Sequence, residues 1–234
     1  MGTSGWHYVH WKGRFYPPDL RESERLGYYA KHFDIVELNN TFYRLPTEAA
    51  VLRWKDASPR SFRFAVKGSR YLTHMKKLKE PSLGVERFFS RVDLLGSKLG
   101  PILFQLPPHW EVDEVRLGIF LEALPRGNRY AFEFRDPSWD IEPVYKLLAR
   151  FHAAYCIFHL AGFQSPLKLT TDFTYVRLHG PGGKYQGSYE ESNLRCWAQR
   201  LRKWDLEEAY VFFDNDQAAY AVENAGRLQS LLDE

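Results

Sequence analysis

Asp34-Ile35-Val36-Glu37-Leu38-Asn39 decides how this chain is read: toward its end, charged or amide residues alternate with large apolar ones. In a strand, residues two apart share a face, so Glu37 and Asn39 point one way while Val36 and Leu38 point the other. The same parity returns in Phe64-Ala65-Val66-Lys67, Ile102-Leu103-Phe104-Gln105, Phe132-Glu133-Phe134-Arg135 and Val176-Arg177-Leu178-His179. Val211-Phe212-Phe213-Asp214 repeats the theme, but its inward parity is ambiguous, so Asp214, Asn215 and Asp216 share the last positions. Charged groups gathered at strand ends are costly to bury unless they serve a site.

Working outward, eight strands are expected: a clipped first run at Met1–Trp6, then Asp34–Asn39, Phe62–Lys67, a run after Gly100-Pro101, Tyr130–Arg135, Tyr155–His159, Tyr175–His179 and Tyr210–Asp214. Helical spacing fills the gaps at Asp19–His32, after Thr47 as N-cap, at Val85–Leu99, Asp113–Leu124, Glu142–His152, Glu190–Trp204 and Ala218–Leu232. Between the sixth and seventh strands only Leu160 to Asp172 remains, interrupted by Pro166, so that crossover is expected to be irregular or one turn long. Alternating strand and helix points to an α/β fold with parallel strands. Eight strands point to closure as a TIM-like (β/α)8 barrel in a single domain over 1–234. An open doubly wound sheet is the runner-up, but no G-x-G-x-x-G follows the first strand and Gly182-Gly183 beside Lys184 is isolated.

Composition fits an ordinary globule: 44% hydrophobic and 26% charged over 234 residues, enough for a sizeable core. Aromatics reach 16% with seven Trp, and some are expected to line a cleft. The net charge of +3 is too mild to argue for nucleic acid. Cys156 and Cys196 form neither a disulfide framework nor a zinc motif. No apolar run approaches the ~18 residues that span a bilayer, so no membrane partner and a cytoplasmic location are expected.

In βα barrels catalytic groups sit at the C-terminal ends of the strands. Inward parity places Glu37, Asn39, Lys67, Gln105, Glu133, Arg135, Arg177 and His179 around one axis, with Glu37 and Lys67 on adjacent strands able to pair. A neutral buried ion network is the competing explanation, although Val, Ile and Leu fill such layers at lower cost. Arg44, Lys67 and Arg70 near Tyr43 and Tyr71 make an anion-holding rim, and His74 falls beside it. Lys76 to Lys79 read as a solvated basic loop, and His32, His109 and His152 as surface or packing residues. Trp139 either stacks on a ligand or seals the barrel top.

Seven motifs together resemble the YecE-like family, the domain of unknown function numbered 72. They are G-T-S-G-W (Gly2–Trp6), E-L-N-N-T-F-Y-R (Glu37–Arg44), T-H (Thr73-His74), G-P-I-L-F-Q-L-P-P (Gly100–Pro108), E-F-R-D-P-S-W (Glu133–Trp139), Y-V-R-L-H-G (Tyr175–Gly180) and F-D-N-D (Phe213–Asp216). The resemblance implies a TIM-barrel-like fold with these motifs at its mouth, and it implies no reaction. This chain departs from the family in having only Met1 before G-T-S-G-W and His159 where an acid is common at the end of the sixth strand.

Three functional readings follow. The first is an enzyme of hydrolase or lyase type acting on an anionic small molecule that carries phosphate or sugar. Arg135, Arg177 and Lys67 would hold the anion, Glu37 and Glu133 would serve as acid and base, and His179 would shuttle a proton. Lys67 and Asp214 complete its catalytic set. Asn39, Thr41, Tyr43, Arg70, His74, Gln105, Trp139, Asn215 and Asp216 would line the substrate. The second is a metal-dependent hydrolase or nuclease, ranked lower because cations interleave with the oxygen ligands. The third is a non-catalytic binder of nucleic acid or an anionic metabolite. No cofactor is expected, and no metal, since neither H-E-x-x-H nor C-x-x-C occurs.

Overall fold

A computed structural model describes all 234 residues. Nine strands run in chain order: β1 (Gly2–Thr3), β2 (Ile35–Leu38), β3 (Arg63–Lys67), β4 (Leu99–Gln105), β5 (Tyr130–Glu133), β6 (Ala153–Leu160), β7 (Phe163–Gln164), β8 (Phe173–Leu178) and β9 (Glu208–Phe213). All but β7 pair in parallel, in the order β1-β9-β8-β6-β5-β4-β3-β2. The two ends of that order meet: Ser4 bridges Glu37 in parallel, and Gly5 N–H donates to the Glu37 carbonyl at 2.9 Å. The eight-stranded TIM-like barrel read from the sequence is therefore what the chain forms.

Parity divides the apolar residues between two regions. Ile35, Ala65, Leu103, Ala131, Ala154, Cys156, Phe173, Tyr175 and Phe212 form one buried cluster, the barrel interior. Small residues on β3, β5 and β6 leave the space that aromatic rings from β8 and β9 occupy, so the interior is packed rather than hollow. The opposite parity, with Val36, Leu38, Phe64, Val66, Phe104, Phe132, Ile157, Val176 and Phe213, joins a second buried cluster between barrel and helices. Phe212 faces inward and Asp214 continues that parity above it, which resolves the ambiguity of the last strand.

The helices are α1 (Arg25–Tyr29), α2 (Asn40–Tyr43), α3 (Glu48–Asp56), α4 (Pro81–Val92), α5 (Glu114–Ala123), α6 (Glu142–Arg150), α7 (Glu191–Trp204) and α8 (Tyr220–Asp233). Thr47 caps α3 by accepting from Ala50 N–H at 3.2 Å, and Asp113 caps α5 by accepting from Arg116 N–H at 3.0 Å. The first helix is shorter than Asp19–His32. A 3₁₀ turn at Glu22–Glu24 precedes α1, which carries the poor helix former Gly27, and the Tyr29 hydroxyl is held by Thr3 N–H at 2.9 Å. The helix expected at Val85–Leu99 starts four residues earlier and stops at Val92, because Gly96 at φ 58° cannot continue it. The basic stretch after β3 is ordered, with a π-helical turn at Tyr71–Met75. The irregular crossover is a hairpin, in which β7 returns antiparallel along the end of β6. No helix is long and apolar enough to cross a membrane.

Candidate active site at the barrel mouth

Above the apolar interior lies a layer of charge organised by Arg177, which is 1% exposed. Its side chain crosses the barrel, with Nη2 donating to Glu37 Oε1 at 2.7 Å and Nη1 to Glu133 Oε2 at 2.9 Å. Nη2 also lies 3.5 Å from Asp214 Oδ2 and 3.5 Å from Asn39 Oδ1. Glu37 receives two further bonds, from Ser4 Oγ at 2.6 Å and from the Tyr175 hydroxyl at 2.5 Å. Arg135 pairs with Glu133 Oε1 and lies over the Phe158 ring at 4.4 Å. Three cations (Lys67, Arg135, Arg177) thus accompany three carboxylates (Glu37, Glu133, Asp214), and the buried members hydrogen-bond one another.

His179 is fully buried in this layer. Arginine can only donate, so the 3.1 Å contact from Arg135 Nη2 makes His179 Nε2 an acceptor, which leaves Nδ1–H to donate to Asp214 Oδ2 at 3.0 Å. Burial, then the charge of Arg177, lowers its pKa and keeps the ring neutral. The Tyr185 ring covers it at 5.5 Å, on a loop whose Tyr185 N–H returns to the His179 carbonyl at 2.7 Å.

Lys67 differs from the other charges. Its Nζ has no hydrogen-bond or ion-pair partner in the protein and sits 4.5 Å from the centroid of the Phe42 ring. Burial, then the neighbouring Arg177 charge, lowers its pKa to about 8, against the opposing pull of Glu133, Glu37 and Asp214. It opens onto a cleft of about 490 Å³ at the mouth, lined also by Tyr8, His10, Asn39, Tyr43, Lys184, Tyr185, Asp214 and Asp216. Asp216 accepts from Trp11 Nε1 at 2.6 Å and meets His10 Nε2 at 2.9 Å, and burial pushes its carboxyl up to about 6.

Several expectations are corrected by this geometry. Glu37 does not pair with Lys67, because the longer Arg177 reaches it from across the barrel. Glu37 and Glu133 are unexposed and bound to guanidinium groups, so they are not free as acid and base. Both nitrogens of His179 are engaged, Nε2 by Arg135 and Nδ1 by Asp214, so neither stands free toward the cleft. Arg135 pairs with Glu133, Arg177 pairs with Glu37 and Glu133, and neither arginine lines the cleft. Thr41 is buried, its Oγ1 donating to the Leu38 and Lys67 carbonyls at 2.8 and 2.7 Å, so it ties β2 to β3. Trp139 is buried, stacks on Phe134 at 4.9 Å and donates to the Trp110 carbonyl at 2.6 Å, so its ring packs against protein rather than lining the cleft.

The remaining candidates divide by position. Asn39, Tyr43, Lys67, Asp214 and Asp216 line the cleft. Asn215 is buried, its Nδ2 donating to the Gly187 carbonyl and to Asn224 Oδ1 at 2.8 Å each, so it holds the loop over the mouth. Gln105 is half-buried in register with Glu133. Arg70 is exposed on the rim, and His74 is half-buried against Phe42 at 4.9 Å. Sequence reasoning missed Ser4 and Tyr175, the other two donors to Glu37. Tyr175 shares the parity of Arg177 and His179 and was open to discovery by that signal. Tyr8, His10, Lys184 and Tyr185 come from loops, where no periodicity announces direction. His159 has the outward parity, and its Nδ1 meets the Tyr189 hydroxyl at 2.8 Å, so the sixth strand adds no acid to the site.

The family profile described as Protein of unknown function DUF72 matches residues 1–234. The UPF0759 protein YunF of Bacillus subtilis (strain 168) is 26% identical over 270 aligned residues, covering 100% of this chain and 94% of that protein. The UPF0759 protein YecE of Escherichia coli (strain K12) is 35% identical over 112 residues, which is 47% of this chain and 41% of the relative. Among solved structures, a DUF72 family protein from Thermotoga maritima MSB8 superposes with a TM-score of 0.90 at 30% identity, covering 100% of this chain and 98% of the other. Another from Enterococcus faecalis V583 gives a TM-score of 0.84 at 18% identity, over 100% and 94%, a likeness of fold.

Proposed function

The chain belongs to the DUF72 family, described as of unknown function, and we propose that it is an enzyme of lyase type acting on an anionic, phosphate- or sugar-bearing small molecule at the mouth of its barrel. The observation that carries this reading is the unpartnered Lys67 amine on the wall of the cleft. The arginines of the network are neutralised by their own carboxylates, so the charge offered to a ligand comes from Lys67 and, on the covering loop, from Lys184. With its pKa lowered to about 8, Lys67 is mainly a cation at pH 7, yet its free base is more accessible than that of an ordinary lysine. One group can therefore attract an anion and take a proton.

Hydrolysis by a carboxylate pair fits less well, because Glu37 and Glu133 share Arg177 and neither reaches the cleft. Metal-assisted hydrolysis fits less well because Glu37, Glu133 and Asp214, the central oxygen donors, all lie beside that same guanidinium. One observation favours the nucleic-acid reading: Tyr43 is 69% exposed and Tyr71 45% exposed near the basic Arg70.

Calorimetric titration with inorganic phosphate and with phosphorylated trioses tests the proposal. Saturable binding to the wild-type protein is expected, weakened at least about tenfold in Lys67→Met, a loss of ~1.4 kcal/mol, and largely kept in Lys67→Arg. Equal affinity in Lys67→Met would refute it. Retention of single-stranded DNA that ignores Lys67 would move the function to the rim.

A further inference from the structure

Lys67 offers the mouth more than a charge, because it is a primary amine kept away from every protein acceptor. Its backbone is fixed at the end of β3, where Thr41 Oγ1 donates to the Lys67 carbonyl at 2.7 Å, and its ammonium lies 4.5 Å from the centroid of the buried Phe42 ring. An ammonium meant only for structure would be expected to bond one of the carboxylates nearby. Here Arg177, Arg135 and the Tyr175 hydroxyl hold the oxygens of Glu37 and Glu133, and Lys67 lines the cleft beside Asp214 without bonding it. We propose that Lys67 is a carbonyl-condensing residue, which forms an imine with an aldehyde or ketone group of the anionic small molecule that the mouth receives. The proposal deepens the preceding reading and rests on it.

The step balances without an oxidant or reductant. The neutral amine attacks the carbonyl carbon, forming the N–C bond as the C=O π pair moves to oxygen. The nitrogen gives up both of its protons and the oxygen takes up two, so that water leaves as C=N forms; readdition of water releases the product. The cleft supplies groups for this traffic. Asp214 keeps Oδ1 free of protein donors while Oδ2 is tied to His179, and Asp216 is a carboxyl that burial raises to about 6. The charged groups that act on Lys67 are Arg177 on β8, Glu133 at the end of β5, Glu37 on β2 and Asp214 after β9, with half-buried His74 on the turn after β3. Burial and Arg177 dominate among them and keep part of the amine unprotonated near neutrality.

Dihydroxyacetone phosphate with sodium borohydride is a suitable probe, since hydride reduces the imine to a stable secondary amine that peptide-resolved mass spectrometry locates. Lys67 should be labelled at least about tenfold faster than exposed Lys146 and Lys203, which keep the ordinary accessibility of surface amines. Labelling should rise as the pH passes through 8 and fall when inorganic phosphate is added. Lys67→Arg should keep phosphate binding and lose the fast-labelled fraction. Labelling of Lys67 no faster than that of Lys146 and Lys203, or unaffected by phosphate, overturns the imine. If wild-type phosphate binding persists in that case, only the imine fails; if binding is also absent, the anion reading fails with it.

Discussion

Glu133 illustrates how a side chain in this barrel is governed by its neighbours. Burial alone would raise its carboxyl, but Arg135 and Arg177, with lesser help from His179 and Lys67, hold it well below the usual carboxylate range. Its folded pKa is thus lower than its unfolded one, so its contribution to stability is present above the unfolded value of about 4.3 and is lost as pH falls below it. Glu133→Gln is expected to cost roughly 3–5 kcal/mol at pH 7, because Arg135 and Arg177 are left short of charge in a buried layer. The variant should then lose less additional stability than wild type between pH 5 and 3. Urea denaturation at both ends of that range checks it, and an unchanged acid limb would mean that other groups set the acid response. Parity along β5 marked Glu133 for this layer from sequence. Its partners were harder to assign, because an arginine two residues on along the same strand and another from β8 reach the same carboxylate, and neither reach is encoded in local spacing.

At the scale of elements, the connection from β8 to α7 does most to shape the mouth. His179 ends the strand inside the barrel, and Gly180 turns the chain at φ 120°, where a Cβ would lie 2.3 Å from the Gln186 carbonyl and 2.6 Å from that of Gly183. Only glycine fits both the backbone angle and the contact. The Tyr189 hydroxyl accepts from Gly180 N–H at 3.1 Å, and Asn215 holds the Gly187 carbonyl, so the loop is fastened at its start and near its end. Gly180→Ala should destabilise the fold by about 1–3 kcal/mol and raise hydrogen exchange across residues 181–187, with weaker phosphate binding as Lys184 and Tyr185 lose their positions. Unchanged exchange in that segment would show that the loop is held without the glycine. The sequence made the strands, the caps at Thr47 and Asp113 and the shortness of the crossover before β8 legible, since these depend on neighbours in the chain. It misjudged the first helix and the end of α4, where Gly27 and Gly96 weigh against a favourable apolar period.

At the scale of the whole molecule, closure depends on a narrow seam. β1 contributes only Gly2 and Thr3 to a ladder, and it meets β2 so closely that a Cβ on Gly2 would lie 2.0 Å from the Ile35 carbonyl. Ser4 and Gly5 continue the seam through Glu37, and the Tyr29 hydroxyl ties it to α1. Gly2→Ala is therefore expected to push β1 off β2 and to lower stability by about 2 kcal/mol or more, read as a lower midpoint of thermal unfolding. An unshifted midpoint would show that the seam has slack. The residue at stake at the top of that seam is Glu37, so loosening it also disturbs the charged layer under the cleft.

The sequence by itself determined the parallel eight-stranded barrel and the set of polar residues that gather in it. Both follow from the period of two along each strand and the βα alternation, and both are local properties of the chain. Tertiary structure alone decided which of those residues are sealed and which are free. Arg177, long enough to span the interior, reaches Glu37 and Glu133 from β8, and Lys67, on the strand adjacent to Glu37, is left to the cleft. The choice between them depends on reach across a closed barrel and on competition for the same oxygens in a medium of low polarity, and neither is written in the spacing of residues along one strand.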